Sequence, residues 1–462
     1  MGRKKGIMCM GICVAMSLVL LTGCGDRQDT ETSGVTQEST QSTEPQTPSR
    51  DSTQVTEESQ IPKTEKTKII VRGQEFDTTI RECVALFNEQ SDEYVVELDT
   101  VTNIVYRFQE ETYADLMIGL GADIFTVDSL SDVYSLVNTG IMADLTPYLA
   151  ASGILEEDYF PFAFDGWREE DKIYGVNVFV QPEGCYIDAD FLGAEPHTVE
   201  SVLTNLQNTS VKTVFRSYRS HQENLTYFLS GSNNLWGMVD EKTGTCNFQG
   251  ELFRQLVETT YIHSANLGGR PTVAGALMDT YWYRFESEAE LEKNGKVRIG
   301  YFSDEENHTI SSQDNMFLIN ANSPNTEGAW AFIEFMLDEQ AQSLMKYDRY
   351  PVSKAVFEKL MAHEIEEGAV MDGEEVVLKA GNQKYYEENG AEDYRARFDL
   401  TEEKIAEIRD ILETTKATPL KTSSIIKIIA EEFRLYRADD TSVEEFALFV
   451  EEKVKQYLDT YK

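Results

Sequence analysis

Histidine and cysteine, the side chains that hold most protein metals and much nucleophilic chemistry, are scarce in this chain. Five histidines occur in 462 residues, and His363-Glu364 has no second histidine at the spacing of a zinc-binding helix. Of six cysteines, Cys9 and Cys13 lie in an apolar leader and Cys24 closes it, which leaves Cys83, Cys185 and Cys246. No CxxC or CxH spacing occurs, so neither a zinc site nor a disulfide framework is indicated, and one bridge among the remaining three stays open. Cys83 shares a helical face with Phe76, Ile80 and Phe87 and reads as a small buried hydrophobe. The glycine motifs are incomplete: Gly119-Leu120-Gly121 lacks the third glycine of a dinucleotide loop, and Gly295-Lys296 lacks the upstream glycine of a phosphate loop. There is no GxSxG. No cofactor, metal or catalytic residue is indicated. Carboxylates are plentiful, but among 81 acids no glycosidase pair stands out without geometry. The expectation is a protein that is not an enzyme.

Positive charge is also short. Lysine and arginine number 41 against 81 acids, a net charge of −40 that becomes −43 once Arg3, Lys4 and Lys5 leave with the leader. Phosphates would be repelled, which argues against nucleic acid or an anionic membrane face as partner. The acidic run from Glu364 to Glu375 reads as a solvated surface. Apart from Ile7–Leu21, which is too short to span a bilayer comfortably, the chain has no long apolar run. With its basic start, that run reads as a signal peptide over 1–23. Leu21-Thr22-Gly23-Cys24 resembles a bacterial lipobox, in which the cysteine thiol takes a diacylglyceryl group and becomes the first residue. The alternative is a plain secretory signal with Cys24 incidental. Two acyl chains give stable membrane attachment where one gives only marginal binding.

Residues 24–66 are rich in Thr, Ser, Gln, Glu and Pro and nearly free of apolar side chains, so they cannot bury a core. As a flexible tether they would hold the folded part on the order of 35 Å from the lipid. From Lys68 the pattern changes. A strand (KIIVRG), a helix from Glu75 to Gln90 with Phe76, Ile80, Val84 and Phe87 on one face, and a second strand (YVVEL) follow in turn. A helix over roughly 107–120 leads to a third strand, ADIFTVD, and the alternation requires an α/β lobe with a parallel sheet. Residues 198–300 hold enough apolar material for a second core. Ser323-Pro324-Asn325, before Ala329, Phe332, Ile333 and Met336, marks the start of a packed helix.

The phrases GIMADLTPYL, DGW…KIYGVNVFV and CYID, then GALMDTYWYRF, NGKVRIGYFS, MFLINANSPNTEGAWAFIEFMLDEQAQSLM and YPVSKAVFE, follow one another in an order that resembles the family 1 extracellular solute-binding proteins. These are the carbohydrate-binding lipoproteins of ABC importers, similar to maltose-binding protein. The resemblance covers most of 68–462 and implies a two-lobed, type II periplasmic-binding-protein-like α/β fold with crossing hinge strands and a helical C-terminus. Lobe one would comprise 67–184 plus 301–338, and lobe two 185–300 plus 339–462. The resemblance implies a monomer on the outer face of a Gram-positive cell membrane that closes on a carbohydrate and delivers it to an ABC permease.

Ligands of open α/β sheets sit at the carboxyl ends of strands, which points to Gln74 and Glu75 after the first strand and Asp128 after the third. Sugars stack their C–H faces on aromatic rings and bridge their hydroxyls to Asp, Glu, Gln and Arg. Tyr281, Trp282 and Arg284, with Gln181 and Glu183, supply that chemistry, and the family carries an aromatic ligand residue on the strand matching Trp282. Alternation along a strand ending at Tyr283 points Trp282 away from both tyrosines, into the cleft or into the core. Tyr227 stays open between ligand and core, and Trp236 reads as core. Four other readings stay open: a receptor for another small polar solute, a ferric-ion receptor, for which Tyr385-Tyr386 supplies an adjacent tyrosine pair, a secreted glycosidase, and a ligand sensor serving a membrane kinase.

Overall fold

The structure, a computed structural model, describes residues 65–461 except 74–75, 101–111, 127–132, 189–198, 209–220, 265–277, 283–295, 300–309, 312–315, 346–348, 367–370, 377–401 and some shorter gaps. The signal peptide, Cys24 and nearly all of the tether lie outside the described residues.

Strand β1 (Thr67–Gly73) buries Ile69 and Val71 by simple alternation. It pairs in parallel with β2 (Tyr94–Thr100), Ile69 opposite Val96, and on its other edge with β3 (Ile124–Phe125). Helix α1 (Thr78–Gln90) connects β1 to β2 and turns Ile80, Cys83, Val84 and Phe87 inward. It starts three residues later than its apolar pattern suggests, because the Asp77 side chain accepts the Ile80 N–H at 2.9 Å and caps it there. Phe76 therefore joins the buried face from outside the helix. Cys83 is fully buried, and burial above all pushes its thiol up to about 12, so it is inert.

Further along lobe one come α2 (Val133–Asn138), α3 (Thr146–Ser152), the short hairpin β4 (Arg168–Glu169) and β5 (Lys172–Ile173), then β6 (Val176–Asn177), β7 (Phe179–Val180) and β8 (Pro182–Asp188). The second lobe adds α4 (Val199–Asn208), α5 (His221–Ser230), the hairpin β9 (Val239–Asp240) and β10 (Thr245–Cys246), α6 (Glu251–Ser264), β11 (Met278–Trp282), β12 (Lys296–Ile299) and β13 (Ile310–Ser311). Strand β14 (Met316–Ile319) then returns to the first sheet, antiparallel to both β3 and β6, giving the order β2-β1-β3-β14-β6. The sheet is thus mixed, not wholly parallel. All four residues of β14 are buried, as a strand covered on both faces requires.

Helix α7 (Thr326–Leu337) packs Ala329, Phe332, Ile333 and Met336 onto this sheet. Gly328 makes the approach possible, since a Cβ there would stand 2.5 Å from Ile69 and 2.6 Å from Tyr94. The Ser323-Pro324-Asn325 turn is held by Asp123: Ser323 Oγ donates to it at 2.5 Å, Asn325 Nδ2 at 3.1 Å and the Ile70 N–H at 2.7 Å. One carboxylate therefore joins β1, the entry to β3 and the start of α7.

After α8 (Glu339–Gln342) come β15 (Tyr350–Pro351), α9 (Lys354–Glu366), α10 (Glu402–Thr414), α11 (Leu420–Leu435) and α12 (Val443–Thr460). The packing of this tail departs from the expected boundary at 339. Ala341, Met345, Val352, Phe357, Ile405, Ile408, Ile411, Leu412 and Leu420 belong to the first lobe's core, and only from Ile425 onward does the chain fill the second. Ile405, Ile408 and Leu412 share a face of α10, which contacts the turn at Pro161–Ala163 in the first lobe. Among the described residues no helix is long and apolar enough to cross a membrane.

Candidate functional site

Strand β8 is where the chain leaves the first lobe, and it forms the spine of the second sheet. It pairs antiparallel with β11 on one edge, with Trp282 opposite Glu183, Tyr281 opposite Gly184 and Met278 opposite Ile187. On the other edge β12 covers Cys185–Asp188, and β13 takes the start, with Ile310 opposite Glu183. Glu183 is thus the central member of a row across three strands, with Trp282 at its end. The strand bearing Trp282 is described as far as that residue. Tyr283 lies outside the described residues, as do the side chains of Glu183, Tyr281 and Trp282.

Gln181, between β7 and β8, is buried. Gln74, Glu75, Asp128, Arg284 and Trp236 lie outside the described residues. Tyr227 lies within helix α5, and its side chain is likewise outside the description. Cys83 and Cys246 are free thiols.

Two arginines near the carboxyl ends of β1 and β7 were not singled out in the sequence. Arg72, the penultimate residue of β1, bonds Asp99 at 2.8 Å and Asp115 at 2.6 Å. Burial alone would lower its pKa, but the hydrogen bonds to Asp115 and Asp99 outweigh it and hold the guanidinium more firmly charged. Arg349 immediately precedes Tyr350, which pairs with Val180, the residue before Gln181. Its guanidinium lies 4.2 Å above the Phe179 ring and pairs with Asp77. No short-range pattern announces that pair, because its members are 272 residues apart.

A separate cavity of about 700 Å³ lies on the first lobe between Tyr159, Asp338, Glu339 and the start of α9. Its lysines are engaged, Lys359 with Glu339 and Lys354 with Glu413 at 3.2 Å, and Tyr159 is its one aromatic. That lining does not suit sugar stacking. Among the described residues no group of three or more His, Cys, Asp and Glu side chains is placed to hold a metal ion.

Two α/β lobes, a first sheet completed by a returning strand, and a helical C-terminus shared between two cores define the type II solute-binding fold. Solved structures of sugar-binding ABC-importer receptors share it. The sugar-binding protein MalE from the phytopathogen Xanthomonas citri is 14% identical with a TM-score of 0.55, covering 86% of this chain and 98% of its own. The ABC substrate-binding protein Lmo0181 from Listeria monocytogenes, in complex with cycloalternan, is 15% identical with a TM-score of 0.54, covering 86% of this chain and all of its own. The maltose/maltodextrin-binding domain MalE from Bdellovibrio bacteriovorus, bound to maltotriose, is 12% identical with a TM-score of 0.53, covering 85% of this chain and all of its own. No protein-family model and no curated protein sequence matches the chain. At these identities the likeness establishes the fold.

Proposed function

We propose that the protein is a lipid-anchored extracellular receptor that captures a carbohydrate between its lobes and hands it, as a monomer, to an ABC permease. The observation that carries this reading is the register on β8, which sets an aromatic residue, Trp282, against a carboxylate residue, Glu183, where the chain passes from one lobe to the other. Stacking ring and hydroxyl acceptor are the two elements of sugar recognition, and ligands of such sheets gather at strand ends. The solved structures with this fold support the ligand class, being bound to maltotriose in one case and cycloalternan in another. Closure is a population shift driven by contacts to both lobes, and no bond in the ligand is broken. The Leu21-Thr22-Gly23-Cys24 string supports the anchor and the outer face of the cell membrane. A thermal-shift screen over maltodextrins, xylo-oligosaccharides and cyclic glucans tests the reading, since a ligand of the native state raises Tm by mass action. A protein whose Tm no glycan moves would overturn it.

A further inference from the structure

Arg349 is 17% exposed and bridges segments that are remote in the chain. Its Nη1 donates to one oxygen of Asp77, whose other oxygen caps α1 through the Ile80 N–H at 2.9 Å. Its Cζ lies 4.2 Å above the centre of the Phe179 ring in β7, and the next residue, Tyr350, pairs with Val180, which precedes Gln181. Its Nε is buried and has no hydrogen-bond partner among the described residues. A planar fork that stacks on a ring while its edge grips a carboxylate is chemistry that lysine cannot reproduce.

A buried ion pair is weak evidence for stability, because apolar replacements of like volume are often as stable, and its best-attested use is to select one arrangement of the groups around it. The elements selected here are the start of α1 and the β7–β15 pair that leads into Gln181 and Glu183. We propose that Arg349 is a positioning residue for the carbohydrate site, clamping the first turn of α1 to the strand that delivers Gln181 and Glu183. Its ligand arm rests on the receptor reading above, and its structural arm does not.

The test uses the full chain with R349Q, R349K, D77N and the double variant R349Q/D77N. Asn at 77 keeps the capping oxygen and removes the charge. In ligand-free protein, hydrogen exchange at Ile80 and Arg81 should quicken by about tenfold in R349Q and in D77N, and no further in the double variant, while the amides of α7 keep wild-type rates. Unchanged exchange at Ile80 and Arg81, or acceleration throughout the first lobe, overturns the clamp whether or not any sugar binds. With maltotriose as probe, R349Q should bind about tenfold more weakly by calorimetric titration, with R349K between it and the wild type. Undiminished affinity in R349Q overturns the role in the site. If the wild type binds no glycan, the receptor reading falls, and the exchange result still decides whether Arg349 holds α1.

Discussion

Trp282 and Glu183 face each other across the β11–β8 pair, and the opposite edge of Glu183 is taken by Ile310. Glu183 lies on a strand paired on both edges and Trp282 on the strand beside it, so the backbone of both is held by the sheet. Trp282→Ala should weaken glycan binding by about 1–3 kcal/mol, the range for an aromatic contact at a binding hot spot, and leave the fold intact. Calorimetric titration and a denaturant melt on this one variant check it. A stability loss of about 3–5 kcal/mol with undiminished affinity would make Trp282 a core residue instead.

Cys24→Ala should release the protein from membranes into the medium, because removing the acylated cysteine removes the anchor. Fractionation and mass spectrometry of the N-terminal peptide read the result. A variant that stays with the membrane, together with an unlipidated wild type, would end the anchor reading.

Asp123→Ala should cost about 2 kcal/mol in a urea melt, since the half-buried Ile70 N–H loses its acceptor and Ser323 and Asn325 are released. Asp123→Asn should cost less, because the amide oxygen can still accept one of these bonds.

His221 packs edge-on against Phe433 at 5.1 Å and Tyr261 at 5.8 Å, and its Nε2 is buried without a partner among the described residues. Burial, aided by Arg437 and opposed by the bond to the Phe433 carbonyl, holds its pKa below the ordinary 6.5. The unfolded chain therefore takes up this proton first. The contribution is present in full above about pH 6.5 and is lost as pH falls through the folded-state value. Chemical melts at pH 7.5 and 5.5 should show a smaller acid-side loss in His221→Phe than in wild type, and equal losses would refute the assignment.

The faces of α1 and α7 were legible because each repeats apolar residues every three or four positions, and the strand carrying Trp282 because its residues alternate. What periodicity cannot express is which partner a face meets. The apolar stripe Ile405, Ile408 and Leu412 identifies a helix but not the core it joins, and that core is the first lobe's. Register escapes for the same reason: Trp282 and Glu183 are a pair only because β8 and β11 align at that step. Arg349 was invisible because neither Asp77 nor Phe179 lies within any local window of it. The late start of α1, by contrast, was written in the chain, since Asp77 stands three residues before the Ile80 amide it caps.

Phe248 donates its N–H to Glu451 at 3.0 Å across 203 residues, and Ile425, Ile429, Phe433, Phe446, Val450 and Val454 complete a core begun by Val199, Leu203 and Leu225. The helices of 199–264 thus take their cover from residues that lie more than 150 positions further along the chain. Completing that lobe therefore means closing a very long loop, whose entropy must be lost before the core contacts form. Until residues 425–454 have been made, the apolar faces of those helices have no partner to bury them.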